Sequence, residues 1–214
     1  MDAGSLAFFV AASLLLISTP GQDMILVMSR SVAQGARAGV ATAGGVSVGL
    51  LGHTLLATIG LGAVLTASET LFTVMRLLGA VYLMYLGVKT WRSPPTVIDG
   101  ADGPQRSVRR MFIEGAVSNL ANPKIAVFYF AFLPQFVAAD ASNAALQLFL
   151  LGALFAVLTF IVKCPIGLVA GRLSHWLRVR PGVQIAMNRV SGDVLVSLGV
   201  KLALDQSPVV SADA

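Results

Sequence analysis

The chain has 214 residues, 56% of them hydrophobic and 12% charged, with a formal net charge of +5 and a mean hydropathy of +0.82. A soluble domain carries about twice that charge fraction, so the composition excludes an ordinary water-soluble enzyme or binding module and predicts an all-α polytopic membrane protein. The excess of positive charge does not point to nucleic acid, because the basic residues stand mainly between apolar segments, where they set topology.

About 20 apolar residues cross a bilayer, and the sequence divides into six such segments with short loops. The first covers roughly 5–29. It is not read as a signal peptide, since Asp2 stands where a basic residue belongs and the apolar run continues past Thr19-Pro20. A polar residue followed by proline is a helix-start signal. Inside a membrane-deep segment it predicts two half-helices, which are tolerated where protein or a water-filled cavity satisfies the loosened backbone. In STPGQD at 18–23, Thr19 as N-cap makes Pro20 the first helical residue and Gln22 the third, completing a Thr-x-x-Gln capping box. Asp23 then falls in the first turn, where the helix dipole favours a carboxylate, and Gly21 leaves backbone open to a ligand.

The second segment, roughly 38–64, carries Gly45-x-x-x-Gly49, a close-packing pattern, and His53, a candidate for proton coupling or a plain interhelical hydrogen bond. The third covers about 69–91, and the loop 93–108 is rich in Pro, Gly and Asp. The fourth, about 111–137, is broken near Asn122. In NLANPK at 119–124, which opens with Asn119, Asn122 caps, Pro123 follows, and Lys124 sits in the first turn. A cation at that end of the dipole is unfavourable by ~0.3–1 kcal/mol, which makes sense if Asp23 or the carboxylate of a substrate is near. Glu114, among basic residues at the start of this segment, reads as a surface acid. Tyr82, Tyr85, Tyr129 and Trp91 read as interface anchors or packed aromatics.

The fifth segment, about 144–172, contains Lys163 and Gly167-x-x-x-Gly171; the sixth, about 184–204, contains Asp193. A lone charge in lipid is costly, so Lys163 and Asp193 are candidates to neutralise each other. Asp193 is also a candidate for proton coupling, as is Asp23. The single cysteine, Cys164, excludes an internal disulfide. The tail after residue 204 is polar.

Basic residues occur in or beside alternate loops: Arg30 and Arg37; then Lys89, Arg92, Arg106, Arg109 and Arg110; then Arg172, Arg178, Arg180 and Arg189. The positive-inside rule therefore predicts both termini outside the cytoplasm. The sequence also repeats. Arg76-Leu-Leu-Gly79 followed by Leu86-Gly87-Val88-Lys89 returns as Arg189-Val-Ser-Gly192 followed by Leu198-Gly199-Val200-Lys201, and the two breaks fall in the same order. This predicts a single membrane domain, 1–214, built from a repeat over 5–92, a cytoplasmic linker over 93–108 and a second repeat over 109–205. Three spans followed by their copy form an inverted 3+3 repeat, with helices 1 and 4 broken around a pseudo-two-fold axis.

The two breaks together suit a zwitterion: Asp23 for an ammonium, Lys124 and free backbone N–H groups for a carboxylate. The candidate substrate-binding residues are Thr19, Pro20, Gly21, Gln22, Asp23, Asn119, Asn122, Pro123 and Lys124, with Asp23, His53 and Asp193 as candidates for proton coupling. No catalytic residue, metal site or cofactor is expected. The expected partners are a small zwitterionic substrate, protons and the lipid bilayer, and the glycine patterns serve packing either within the chain or in a homo-oligomer.

STPG at 18–21, SRSVAQGARAG at 29–39, LLGAVYLMYLGVKTWRS at 77–93, FIEGAVSNLANPKIAVFYFAFLPQFV at 112–137 and VSGDVLVSLGVKLAL at 190–204 resemble the LysE/RhtB family of bacterial amino-acid exporters. The resemblance implies six spans, a bacterial inner-membrane location, and secondary active efflux of amino acids or close derivatives in antiport with protons. Two departures stand out. The family's first break usually reads TPGP, whereas Gln22 stands here; and Lys163, Cys164 and Asp193 occupy places where apolar or small residues are expected. Two alternatives compete. A divalent-cation exporter of the same architecture would want several converging acids, yet Asp23 is matched with Lys124. An intramembrane enzyme would have to use Ser47 and His53, which lie about 120° apart around one helix.

Overall fold

The computed structural model describes residues 3–19, 21–67, 69–95, 105–137 and 143–204. Pro20, most of the linker and the tail lie outside the described residues. The helices are α1 (Ala3–Ser18), α2 (Gln22–Gln34), α3 (Ala36–Ala67), α4 (Glu69–Trp91), α5 (Val108–Leu120), α6 (Pro123–Val127), α7 (Ala144–Arg178) and α8 (Pro181–Leu204). A π-helical turn, Phe128–Phe132, and a 3-10 turn, Leu133–Phe136, continue directly from α6. Among the described residues there is no strand.

Two helices, Ala36–Gly60 in α3 and Ala144–Leu177 in α7, are long and apolar enough to cross a membrane. The pair α1 and α2, bent by 51°, is a third candidate if taken as one broken span. Large apolar side chains point outward: Ile59 is 72% exposed, Leu78 65% and Val81 60%. Such a surface is stable against lipid and not against water.

The first break differs from the expected capping box. Helix α2 begins at Gln22, capped by Gly21 in an extended conformation with no side-chain cap. The Thr19 hydroxyl turns instead to the Leu15 carbonyl (2.9 Å) and the Ser191 hydroxyl (2.7 Å). The last carbonyls of α1 lack helical partners, and Thr19 is near enough to satisfy one. Gln22 reaches across to the Ser118 hydroxyl, donating over 3.1 Å. The second break follows expectation: the Asn122 side-chain oxygen accepts from the Lys124 backbone N–H at 3.1 Å, with Pro123 in the first turn. Beyond it the helix widens into the π turn instead of continuing as a regular helix. That turn buries Phe128, Tyr129 and Phe132, with the Phe128 ring tilted against Phe155 of α7, centroids 4.6 Å apart.

Where helices cross closely, glycine replaces a side chain. In membranes helix pairing depends on backbone approach and packing rather than on hydrophobic burial. A Cβ added at Gly45 would stand 1.9 Å from the Phe112 carbonyl oxygen, and one at Gly49 2.7 Å from that of Ala116, so this pair seats α5 on α3. In α7 only half of the expected pattern is used: a Cβ added at Gly167 would stand 3.0 Å from the Gly39 backbone, but one added at Gly171 would meet nothing within 4 Å. Helices α3 and α7 run antiparallel, with Gly39 against Gly167 and Thr54 against Gly152. Helices α4 and α8 also run antiparallel, with Gly87 against Gly192 and Ala80 against Gly199.

Candidate substrate site between the two helix breaks

The first turn of α2 carries Asp23, which is buried (5% exposed). A buried carboxylate requires donors or an opposite charge, and three neighbouring elements supply them. From the end of α5, Asn119 Nδ2 donates to Asp23 Oδ2 at 2.8 Å. From the cap of α6, Asn122 Nδ2 reaches Asp23 Oδ1 at 3.5 Å. From α7, the Lys163 ammonium donates to Asp23 Oδ2 at 3.3 Å. The Asn119 carbonyl in turn accepts from His53 Nε2 of α3 at 3.1 Å. His53 thus touches the group that holds Asp23 without lining the cavity beside it.

That cavity, about 30 Å³, is walled by Thr19, Gly21, Gln22, Asp23, Asn122, Lys124, Thr159 and Lys163, with Leu16, Leu50 and Phe155 on its apolar side. Such a volume takes a water molecule or two, so a larger guest enters only when the walls part or the ion pair opens. The Lys124 ammonium lies close to Gly21, 4.0 Å from where a Cβ would stand. Among the described residues no carboxylate lies within ion-pair distance of Lys124. The cavity therefore holds one paired cation and one spare cation beside a single carboxylate.

Of the residues singled out from sequence, Thr19, Gly21, Gln22, Asp23, Asn122 and Lys124 come together at this cavity. Asn119 joins through Asp23, and Pro123 is exposed at the start of α6. One expectation is corrected. Lys163 pairs with Asp23 and not with Asp193, because the Gly39–Gly167 contact brings α7 alongside α2 and α3. Asp193 is exposed on α8 in a separate shallow depression with Trp91 and Arg92, away from Asp23. Lys163, not among the substrate-site candidates read from the sequence, also lines the cavity. Its signal was a lysine inside an apolar segment, which demands a nearby anion. Ser191 and Ser118, the partners of Thr19 and Gln22, carried no local signal.

At the other end of α2 and α5, Glu114 is no isolated surface acid. It accepts from Arg30 of α2 (3.0 Å), Arg110 of α5 (3.0 Å) and Arg106 of the linker. The Arg106 backbone N–H also donates to the Gln34 side chain at 2.9 Å. Ser31 completes this end by donating to the Gly167 carbonyl of α7.

The family described as LysE type translocator matches residues 14–206. The chain is 30% identical to the uncharacterized membrane protein YrhP of Bacillus subtilis, over 94% of this chain and 99% of that protein. It is 31% identical to a homoserine/homoserine lactone efflux protein of Salmonella typhimurium, over 91% of this chain and 94% of the other. A leucine efflux protein of Klebsiella pneumoniae is 27% identical, over 93% and 94%. No solved structure matches. The chain belongs to the LysE-type translocator family, and is thus a membrane transporter and not an enzyme.

Proposed function

We propose that the protein is a secondary active exporter of amino acids or close derivatives, working by proton antiport across the bacterial inner membrane. The observation that carries this reading is the meeting of Asp23 and Lys124, one from each helix break, at one buried cavity. Asp23 takes the substrate's ammonium and Lys124 its carboxylate, with Thr19, Gly21, Gln22 and Asn122 around them and Asn119 fixing Asp23. The names of the homoserine and leucine efflux relatives support an amino-acid substrate.

The architecture in this reading is six spans in an inverted 3+3 repeat, with both termini outside the cytoplasm. It is supported by the antiparallel pairing of α3 with α7 and of α4 with α8, each joining the corresponding helices of the two halves. Asp23 and His53 are the candidates for carrying the proton; two hydrogen bonds join them, one to the Asn119 backbone carbonyl and one from its side-chain amide. Asp193 is set apart from that route by its place on α8. A divalent-cation exporter is disfavoured by the surroundings of Asp23, where two amide groups and an ammonium point at the carboxylate and repel a metal ion.

The test is expression in cells lacking their own exporters, challenged with a panel that includes homoserine and leucine. Efflux of at least one amino acid, lost in Asp23→Asn and Lys124→Gln and reduced when the proton gradient is collapsed, is the expected result. Efflux of none, with resistance to a divalent cation instead, would overturn the reading.

A further inference from the structure

We propose that Lys163 is a tethered stand-in for the substrate's ammonium: it neutralises Asp23 in the empty carrier and is displaced when substrate binds. The inference rests on the amino-acid export reading and adds a residue which that reading does not use.

Three observations carry it. The Lys163 ammonium sits 3.3 Å from Asp23 Oδ2, and the two side chains are 7% and 6% exposed. It lines the same cavity as Lys124, so it occupies the place where an ammonium bound to Asp23 would lie. The cavity, about 30 Å³, has no room for an amino acid while that pair is closed.

The chemistry follows from charge. A carrier that exports an amino acid must return without it, and a lone buried carboxylate makes that return costly. A lysine on a flexible four-carbon stem supplies the missing cation. When an amino acid arrives, its ammonium replaces that of Lys163 on Asp23. The released Lys163 then stands beside Lys124, where two cations face the incoming carboxylate. The other groups facing Asp23 are the Asn119 and Asn122 amides, which donate in either state, and the hydroxyl-bearing Thr159, which lines the cavity near Lys163. No proton or covalent bond need change hands in the exchange of cations.

Two substitutions test this in proteoliposomes holding the full chain, with radiolabelled L-leucine and L-homoserine as probes. Net efflux needs the carrier to return without amino acid; one-for-one exchange does not. Lys163→Gln should lower net efflux by about ten-fold or more relative to exchange, because the return of an unneutralised Asp23 is disfavoured. Lys163→Arg keeps the cation but binds a carboxylate through two parallel N–H groups. It should raise the KM of exchange several-fold relative to the wild type. Equal loss of net efflux and exchange in Lys163→Gln, or no change in either, would overturn the proposal. So would an unchanged KM in Lys163→Arg, which decides the matter alone if Lys163→Gln does not assemble. If the wild type moves neither probe nor any other amino acid, the export reading itself fails, a result distinct from these.

Discussion

Asn119 Nδ2 lies 2.8 Å from Asp23 Oδ2, while its own carbonyl accepts from His53 3.1 Å away. One residue at the end of α5 thereby joins α3 and α2 through opposite ends of its structure. It donates to the same Asp23 oxygen that Lys163 meets at 3.3 Å, so the two hold Oδ2 between them. Asn119→Ala should therefore preserve the fold but loosen Asp23. A hydrogen bond to a charged group contributes about 1.5–3 kcal/mol, so substrate KM should rise by roughly ten-fold or more, measured as concentration-dependent efflux.

Asp23→Asn removes the partner of a buried cation. Breaking one side of such a pair costs about 3–5 kcal/mol. The variant should lose transport and melt earlier in detergent, and adding Lys163→Gln should recover much of the melting temperature without recovering transport. If the double substitution melted no later than the single, the pair would not be the source of the loss.

Gly45→Ala should be among the most damaging single-methyl changes in the chain, since its Cβ would stand 1.9 Å from the Phe112 carbonyl oxygen. Overpacking of this kind costs about 1–3 kcal/mol or more. Gly171→Ala adds the same methyl where nothing lies within 4 Å, and should melt within about 0.5 kcal/mol of the wild type. Thermal denaturation of the two variants side by side checks the contrast.

Glu114→Gln leaves Arg30, Arg106 and Arg110 without their shared carboxylate. Partly exposed ion pairs contribute about 0–1 kcal/mol each and are screened by salt. The loss of stability should be clear at low ionic strength and shrink at high. Equal losses under both conditions would mean that the three arginines are not acting through charge.

The helices were legible in the sequence because lipid-length apolar runs leave little choice of boundary. The span read as 69–91 matches α4, Glu69–Trp91, and the Asn122-Pro123 cap forms as its residue types predict. Thr19 shows the limit. Its capping signal was sound locally, but a free carbonyl at Leu15 and a hydroxyl 172 residues away at Ser191 competed for it. Lys163 shows a different limit. A lysine in an apolar segment announces that an acid is near, and both Asp23 and Asp193 answered that description. Only the seating of α7 on α3, set where Gly39 meets Gly167, selects Asp23.

Helix α2 is pinned at its far end by Arg30 to Glu114 and by Ser31 to the Gly167 carbonyl, contacts that do not involve the charge on Asp23. Asp23 stands seven residues earlier, about 10 Å along the axis at 1.5 Å per residue. The helix is thus a lever with its fulcrum at residues 30 and 31 and its working end at the ion pair. In the proposed exchange, a small change of tilt at the fulcrum would be magnified where Asp23 lets one cation go and takes hold of another.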